Sequence, residues 1–452
     1  MPVNANAIDI VTQRMRKQGG RPALHWRGAD VSYDEFFARI DDWLDHLARH
    51  GVGAGTVCGV FGDYSPATTS LFFALMRLNA IIVPFTVVGE TEMERFAEIA
   101  GVECMVRFKA DDTWTFEAFT DVPKDPLVAA FLERGTPGLI VFTSGSTGEP
   151  KAILHDCERV MRKFVPERRG WSTVLFLMMD HFGGFNTLLG AFAYGGVAVC
   201  LADRLPETVC RAIAEAGATL LPTTPTFLNL MIASGAWKRF DLTSVKMITY
   251  GTEVMPETTL ARVAELFPDA AVKQTYGLSE LGVLRSKSEE GHNTWLKVGG
   301  DGFEVKIVDG ILWVRSESNM VGYLNAPNPF DDDGWMCTGD EVEVRGDMIR
   351  FVGRKSEIIN VGGQKVFPVE VETVLLEDDN VSEATVFGTP HVVLGQAPCA
   401  RVSLRHPEDK KAMTARLRRH CRESLAKYKV PMRFVVIDNE EQRSERFKKV
   451  RR

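Results

Sequence analysis

Between residues 57 and 275 the chain alternates short β-prone runs with helical patterns, and this alternation constrains the fold more than any other feature of the sequence. The first strand-like runs, VCGVF, AIIVPF and ECMVRF, are separated by helical stretches. Such a repeat is typical of a mainly parallel sheet covered by helices, in which ligands collect at the carboxyl ends of the strands. We therefore predict an α/β fold, with later strands at 174–178, 197–201, 219–222, 246–250 and 272–275.

The regions on either side of this repeat have different patterns. Before it, residues 33–49 place apolar side chains at helical spacing, and Ser32 and Glu35 match a capping box. Short alternating strands from 299 to 352 indicate an antiparallel subdomain. The mixed helices and strands that follow are numerous enough for a separate small domain. We therefore predict a large N-terminal domain, residues 1–353, and a small mobile α+β domain, residues 354–452.

A run of glycine and hydroxyl residues lies at the centre of the repeat, between the β-prone residues 139–142 and Pro150. Glycines let the backbone approach an anion, hydroxyls and N–H groups donate hydrogen bonds, and a lysine adds charge. The run is not a Walker loop, because Ala152 follows its lysine. A flexible linker is the alternative. The strand before the run favours a phosphate-binding loop made of Thr143, Ser144, Gly145, Ser146, Thr147, Gly148 and Lys151.

Two more polar segments follow strand candidates. One is the turn after Tyr250, and the other covers residues 274–280. Because the carboxyl ends of parallel strands share one edge of a sheet, we expect both segments and the glycine-rich loop to meet in one crevice.

Composition excludes several classes of protein. A net charge of −7 argues against a general nucleic-acid binder. The eight cysteines lack a C-x-x-C spacing and the nine histidines lack metal-ligand spacing, so we expect reduced thiols and no metal held by protein ligands alone. The N-terminus has no secretory pattern, and the most apolar window, 71–88, is interrupted by polar residues and proline. These features predict a cytoplasmic protein without a membrane span.

Four motifs in order resemble those of the adenylate-forming superfamily, which includes acyl-CoA synthetases, luciferases and peptide-synthetase adenylation domains. The glycine-rich loop resembles the family's phosphate-binding motif, and residues 275–280 are similar to its Y-G-x-T-E segment. Residues 335–340 resemble W-x-x-T-G-D, and residues 353–359 resemble the hinge before a swivelling C-terminal domain. The resemblance covers nearly the whole chain. It implies ATP-dependent activation of a carboxylic acid to an acyl-adenylate.

The resemblance also implies roles for individual residues. The glycine-rich loop and Lys151 would hold the β- and γ-phosphates of ATP, with Ser279 near the α-phosphate. Glu280 would coordinate Mg²⁺, which commonly uses one or two carboxylates together with phosphate oxygens. Asp340 would accept the ribose hydroxyls, supported by Arg354. The adenine would be flanked by Tyr276 and by the turn formed by Gly251, Thr252 and Glu253, and Gly277 would also belong to the nucleotide-binding set.

For the acid, the resemblance points to His181, which falls where related ligases carry a histidine at the pocket entrance; a lone histidine is otherwise more often structural. Asp180 is out of register for the aspartate with which amino-acid-activating relatives hold an amine. A carboxylic acid without an α-amino group is therefore favoured. Gly183 and Gly184 suggest an open pocket wall.

The end of the chain resembles the segment that carries the family's adenylation lysine. We predict Lys448 for this role, with Lys449 as the alternative. The interpretation without a catalytic role is a solvated basic tail. CoA is the expected acyl acceptor, reached through residues 361–368 after the C-terminal domain rotates. An amine or a carrier-protein thiol is the closest alternative, and an inactive acyl-nucleotide binder is a remote one. The sequence leaves the oligomeric state open, a homodimer included.

Overall fold

The computed structural model describes residues 6–86, 90–144, 150–251, 253, 255–284, 286–288, 294–300 and 302–437. Within these residues the chain forms the predicted mixed α/β architecture of sheets covered by helices. The helices have the bounds Ala7–Arg16, Tyr33–Arg49, Pro66–Arg77, Glu90–Ala100, Pro126–Leu132, Cys157–Arg162, Phe182–Ala193, Pro206–Ala216, Pro225–Ser234, Glu257–Leu266, Pro368–Leu376 and Lys410–Ser424, with short 3₁₀ turns at Ala236–Arg239, Lys355–Glu357 and Lys427–Lys429.

The first sheet contains the strand that leads into the glycine-rich loop. Its four central strands are parallel, and both edges are closed by antiparallel strands. Across the sheet the order is Gly322–Tyr323, Pro150–Asp156, Gly138–Ser144, Ile81–Phe85, Val57–Phe61, Cys104–Phe108 and Trp114–Ala118.

The second sheet contains the later strands of the repeat. All neighbouring strands are parallel except the last pair. The order is Ala271–Gln274, Met247–Tyr250, Leu220–Thr223, Ser172–Val174, Val197–Val199, Pro22–Trp26 and Ala29–Ser32. Each predicted strand of the repeat has a counterpart, but the prediction for 174–178 was largely wrong, because the observed strand Ser172–Val174 overlaps it only at Val174; the other ends differ by at most two residues.

An antiparallel sheet follows, as the alternating pattern between 299 and 352 predicts. It also recruits two short strands from before residue 299. Its order is Ser286–Ser288, Leu296–Val298, Met348–Arg354, Met336–Arg345, Ile311–Ser316 and Phe303–Val308. A separate hairpin pairs Tyr276–Leu278 with Gly282–Leu284.

The last part of the chain builds its own sheet and its own core. The strands Ile359–Val361, Gln364–Val366, Val381–His391, Gly395–Leu404 and Arg433–Val436 form this sheet. One cluster of buried apolar side chains is drawn entirely from residues 359–434. Such a self-contained core is what an independently folding unit requires.

Local sequence explains where several helices begin. Ser32 and Glu35 form the predicted capping box, in which the Ser32 side chain accepts from the Glu35 N–H and the Glu35 carboxylate accepts from the Ser32 N–H. Five helices begin with proline in the first turn, where its missing N–H costs nothing. These are the helices starting at Pro66, Pro126, Pro206, Pro225 and Pro368.

The strands around the glycine-rich loop are longer than expected. Thr143 and Ser144, which we assigned to the loop, continue the strand Gly138–Ser144, and Lys151 belongs to the returning strand Pro150–Asp156. Thr143 pairs with Lys151 and Ser144 with Pro150. The reason is that antiparallel pairing with Pro150–Asp156 satisfies these backbone groups, which the local sequence does not reveal.

All eight cysteines are free thiols, as expected from their spacing. Among the described residues, no helix is both long and apolar enough to cross a membrane.

Candidate active site

One cavity of about 760 Å³ lies where the predicted polar segments meet. Thr143 lines it at the end of its strand, together with Gly251 and Glu253 after Met247–Tyr250. Residues 274–280 line it after Ala271–Gln274. The cavity thus occupies the carboxyl ends of strands, where α/β sheets bind ligands.

Asp340 is the centre of a buried polar cluster on one wall of this cavity. Its Oδ2 accepts a hydrogen bond of 2.6 Å from the Tyr276 hydroxyl, and its Oδ1 accepts one of 3.0 Å from Arg354 Nε. Strand register explains the second contact, because Asp340 pairs with Arg354 across antiparallel strands. The Tyr276 ring stacks on Phe351 with centroids 4.5 Å apart. Two donors on separate elements therefore fix the orientation of one carboxylate.

The electrostatics of this cluster follow from burial. Loss of hydration, and secondly the Asp340 charge, raise the pKa of Tyr276 well above its usual value, so the phenol stays a donor. Burial is the largest single influence and would lower the pKa of Arg354, but the charge of Asp340, the nearby Tyr276 and the hydrogen bond to Asp340 together outweigh it, so the net shift is upward. The pair therefore presents a fixed carboxylate beside a permanent cation, an arrangement suited to binding vicinal hydroxyl groups.

Glu280 belongs to a second cluster, which sequence reasoning missed. Its Oε1 accepts a hydrogen bond of 2.6 Å from the Tyr323 hydroxyl. The ammonium group of Lys151 lies 5.0 Å from the centroid of the Tyr323 ring, within cation–π range. Burial and the Glu280 charge raise the pKa of Tyr323. One tyrosine thus links the carboxylate proposed for metal to the lysine proposed for phosphate.

His155 lies beneath the turn that carries Ser279. The imidazole is fully buried on the strand Pro150–Asp156, and its ring centroid is 4.5 Å from that of Phe182. Neither ring nitrogen has a hydrogen-bond partner of good geometry among the described residues. Burial lowers its pKa to about 3, and only a weaker contact with the Ser279 backbone opposes the shift. At neutral pH His155 is therefore an uncharged packing group behind Ser279.

His181 both lines the cavity and caps a helix. Its Nδ1 accepts a hydrogen bond of 3.1 Å from the Gly183 N–H, so it is the N-cap of Phe182–Ala193. We expected both Gly183 and Gly184 to leave the pocket wall open, and this was wrong for Gly184. Gly183 lines the cavity, whereas a Cβ on Gly184 would lie 1.9 Å from the Met178 carbonyl oxygen. Gly184 serves close packing.

Models of known families match two parts of the chain. The AMP-binding enzyme model matches residues 11–324, and the model of the AMP-binding enzyme C-terminal domain matches residues 370–448. The chain belongs to the AMP-binding enzyme family. Both family modules occur here in the usual order, with the cavity lined mainly by the first.

A curated relative and two solved structures are similar to the chain over nearly its whole length. The chain is 26% identical to an indoleacetate–CoA ligase from Aromatoleum aromaticum, over 93% of this chain and 92% of that one. Its fold is similar to the anthranilate CoA ligase AuaEII in complex with anthranoyl-AMP, with a TM-score of 0.80 and 19% identity over 97% of this chain and 94% of that one. It is also similar to the amide bond synthetase McbA from Marinactinospora thermotolerans, with a TM-score of 0.77 and 23% identity over 95% and 96%.

Ten of the site residues predicted from the AMP-binding family motifs line the cavity. The structure brings together Thr143, His181, Gly251, Glu253, Tyr276, Gly277, Ser279, Glu280, Asp340 and Arg354. Lys151 adjoins this set through Tyr323. The Glu253 carboxylate accepts a hydrogen bond of 2.6 Å from Thr226 Oγ1, which holds it at the start of a helix. The predicted residues Gly145, Ser146, Thr147, Gly148, Thr252, Lys448 and Lys449, and the side chain of Ser144, lie outside the described part of the chain.

Proposed function

We propose that this protein is an AMP-forming carboxylate–CoA ligase. The observation that carries the proposal is the single cavity that joins two clusters, one around Asp340 and one around Glu280. A sugar-binding carboxylate, a metal-binding carboxylate and a phosphate-binding lysine are the groups that an ATP-dependent acid activation needs. Membership of the AMP-binding family supports the same reading.

In the first half-reaction, an oxygen of the substrate carboxylate forms a bond to the α-phosphorus of ATP. The bond from that phosphorus to the bridging oxygen breaks, and acyl-adenylate and pyrophosphate result. A carboxylate is a poor nucleophile, so the protein must supply alignment and charge stabilisation more than proton transfer. Asp340 would bind the ribose hydroxyls and fix the nucleotide. Ser279, buried at the turn beside Glu280, would donate to the α-phosphate.

The residues around Glu280 fit a magnesium ion brought in with ATP. The Tyr323 hydroxyl donates a hydrogen bond to Oε1 of this carboxylate. Among the described residues no hydrogen bond reaches Oε2, so this oxygen could bind the ion. Mg²⁺ typically takes one or two protein carboxylates and fills its other positions with phosphate oxygens and water. When bound, it would neutralise phosphate charge. Lys151 would add a second cation on the same side.

The part after Arg354 would act as a separate lobe. It has its own core, and Glu357 and Val369 from this part line the cavity. We propose a domain boundary at 353–354, with Lys448 of the tail, or alternatively Lys449, reaching the reacting oxygens. In the second half-reaction the thiol sulfur of CoA attacks the acyl carbon, loses its proton, and expels AMP. Rotation of the lobe would bring residues 361–368 to the thiol.

The choice of acceptor rests on the relatives. The indoleacetate–CoA ligase match spans nearly both chains, which favours CoA. A second candidate is transfer to an amine, because an amide bond synthetase has a similar fold over 95% of this chain. In either case the substrate acid carries no α-amino group, because Asp180 is out of register for the aspartate that would hold one.

The test is a set of carboxylic acids assayed for pyrophosphate release with ATP and Mg²⁺. We expect release with at least one acid, thioester formation when CoA is added, and loss of release in Asp340→Ala and in one of Lys448→Ala and Lys449→Ala. Absence of release with every acid would exclude adenylation. Amide formation with amines, and no thioester with CoA, would move the protein to the second candidate.

A further inference from the structure

One face of the helix Phe182–Ala193 forms a groove that leads away from the proposed reacting centre. The residues that line the cavity recur at helical spacing: Gly183, Asn186, Thr187, Gly190, Ala191 and Tyr194. The helix begins beside the turn that carries Ser279, because the Phe182 ring lies against Gly282 and packs, tilted, on the His155 ring. The groove therefore starts where the substrate carboxylate would react.

Away from the proposed reacting centre, the groove is lined by aromatic side chains. Phe164, Trp171 and Tyr194 line its far part, and the rings of Phe164 and Tyr194 meet edge to face with centroids 6.1 Å apart. A Cβ on Gly190 would lie 3.4 Å from Phe164, so the missing side chain lets this ring approach the helix. From Gly183 to Gly190 the helix rises about 10 Å. That length suits one or two rings, and flat aromatic walls favour ring faces over a flexible chain.

Asn186 places a carboxamide with an unsatisfied oxygen halfway along this groove. Its Oδ1 is buried and has no hydrogen-bond partner among the described residues. By contrast, the neighbouring Thr187 hydroxyl already donates a bond of 2.8 Å to the Gly183 carbonyl. Buried polar atoms in native proteins nearly always have a partner, so an orphan in a ligand cavity points to a partner on the ligand.

Resting on the adenylation function proposed above, we propose that the substrate is a compact aromatic carboxylic acid whose ring carries a hydroxyl or amino group, and that Asn186 selects this group. A carboxamide can donate or accept, and its O and N ends are assigned by the surrounding hydrogen bonds. Hydroxyl and amino substituents satisfy either orientation. The acid would lie with its carboxylate toward Ser279 and its ring against Phe164.

The rim of the cavity offers a competing feature. Arg168 and Arg169 line it, but both are exposed, and Arg169 lies over the Trp171 ring at 4.9 Å. Exposed charges are strongly screened by water, whereas a buried amide oxygen without a partner, such as Asn186 Oδ1, is costly to leave unsatisfied. We therefore assign recognition to Asn186, and a second carboxylate on the substrate is an outcome that the test separates.

The experiment compares kcat/KM for pyrophosphate release with 3- and 4-hydroxyphenylacetate, phenylacetate, 2-carboxyphenylacetate and octanoate. Wild type, Asn186→Leu and Thr187→Val are assayed, with thermal midpoints to verify folding. We expect wild type to prefer one hydroxylated acid over phenylacetate about tenfold, the value of one well-placed hydrogen bond. Octanoate should be poorer than any aryl acid. Asn186→Leu should bring the hydroxyl preference close to one, and Thr187→Val should retain the wild-type ratio even if its rate changes.

Each other result overturns part of this picture. Octanoate as the best acid excludes an aromatic substrate while leaving adenylation intact. An equal hydroxyl preference in wild type and Asn186→Leu removes Asn186 from selection. Preference for 2-carboxyphenylacetate moves recognition to the arginines. No pyrophosphate with any acid overturns the proposed function itself.

Discussion

The buried imidazole of His155 should make the stability of this protein fall in mild acid. Burial lowers its pKa from 6.5 to about 3. Between these two values the unfolded chain binds a proton that the folded chain excludes, so stability is full above pH 6.5 and falls as the pH decreases toward 3. The loss is about 1.4 kcal/mol per pH unit, or about 2 kcal/mol between pH 7 and pH 5.

The variant His155→Leu isolates this contribution. Leucine cannot bind a proton, and neither ring nitrogen of the histidine makes a well-formed hydrogen bond that the change would remove. Any constant packing cost of the substitution cancels, because the quantity compared is the change between the two pH values. This change is measured by urea unfolding at pH 7 and pH 5, followed by tryptophan fluorescence. The m-values convert the midpoint urea concentrations into free energies of unfolding.

We expect wild type to lose about 2 kcal/mol more than His155→Leu on going from pH 7 to pH 5. His406→Gln is the matched control, because it also removes one histidine, but from an exposed position. Equal losses in wild type and His155→Leu would refute the reasoning, since another group would then have to account for the acid sensitivity.

Three further substitutions test individual contacts. Tyr323→Phe removes one hydrogen bond to the Glu280 carboxylate, about 1–2 kcal/mol, so kcat/KM for MgATP should fall about 5- to 30-fold with little change in thermal midpoint. Tyr276→Phe removes the hydrogen bond to Asp340. The pKa of Tyr276 in the folded protein is raised above the ordinary value of 10.0, so the free energy of unfolding of wild type should fall as the pH rises beyond 10.0. This fall should be smaller in the variant. Gly184→Ala forces a methyl group into backbone and should cost about 3 kcal/mol or more, measured by urea unfolding.

These three predictions have separate controls. Tyr428→Phe removes a hydroxyl from a residue that packs against the C-terminal core and does not line the cavity, so MgATP kinetics should stay unchanged. Unchanged kinetics in Tyr323→Phe would mean that the Glu280 contact is dispensable. Tyr276→Phe with wild-type alkaline sensitivity would place that sensitivity elsewhere. Gly20→Ala should be nearly neutral, because nothing lies within 4 Å of its added Cβ. Equal stability of Gly184→Ala and wild type would mean that the helix start can shift.

Periodic and local signals in the sequence were sufficient for much of the fold. The alternation of strands and helices predicted mainly parallel sheets covered by helices, because the spacing of apolar residues indicates which face of each helix or strand is buried. The capping box at Ser32 and Glu35 was readable because its two partners are three residues apart. The rule that ligands gather at strand ends also predicted that Tyr276 and Ser279 lie near one cavity, whereas Asp340 and the proposed roles of all three residues came from the family motifs.

Contacts between distant residues were not readable. Tyr323 reaches Glu280 across 43 positions of sequence, and nothing around it sets it apart from an ordinary core tyrosine. His155 falls in a plain β-prone run, so its burial behind Ser279 depends on tertiary packing alone. The strand extension through Thr143 and Ser144 likewise depends on a partner strand. Each miss concerns a property set by a neighbour that is remote in sequence.

The position of Arg354 has a consequence for how the two parts of the chain communicate. It is the last residue of the strand Met348–Arg354, and the 3₁₀ turn Lys355–Glu357 follows at once. Its guanidinium nevertheless holds Asp340 on the opposite strand. A change of backbone direction at Lys355 would shift the cation relative to the carboxylate. Nucleotide affinity and lobe orientation would then be thermodynamically linked. A second ligand that favours one orientation would change the affinity for the nucleotide, and the nucleotide would change the affinity for that second ligand by the same factor.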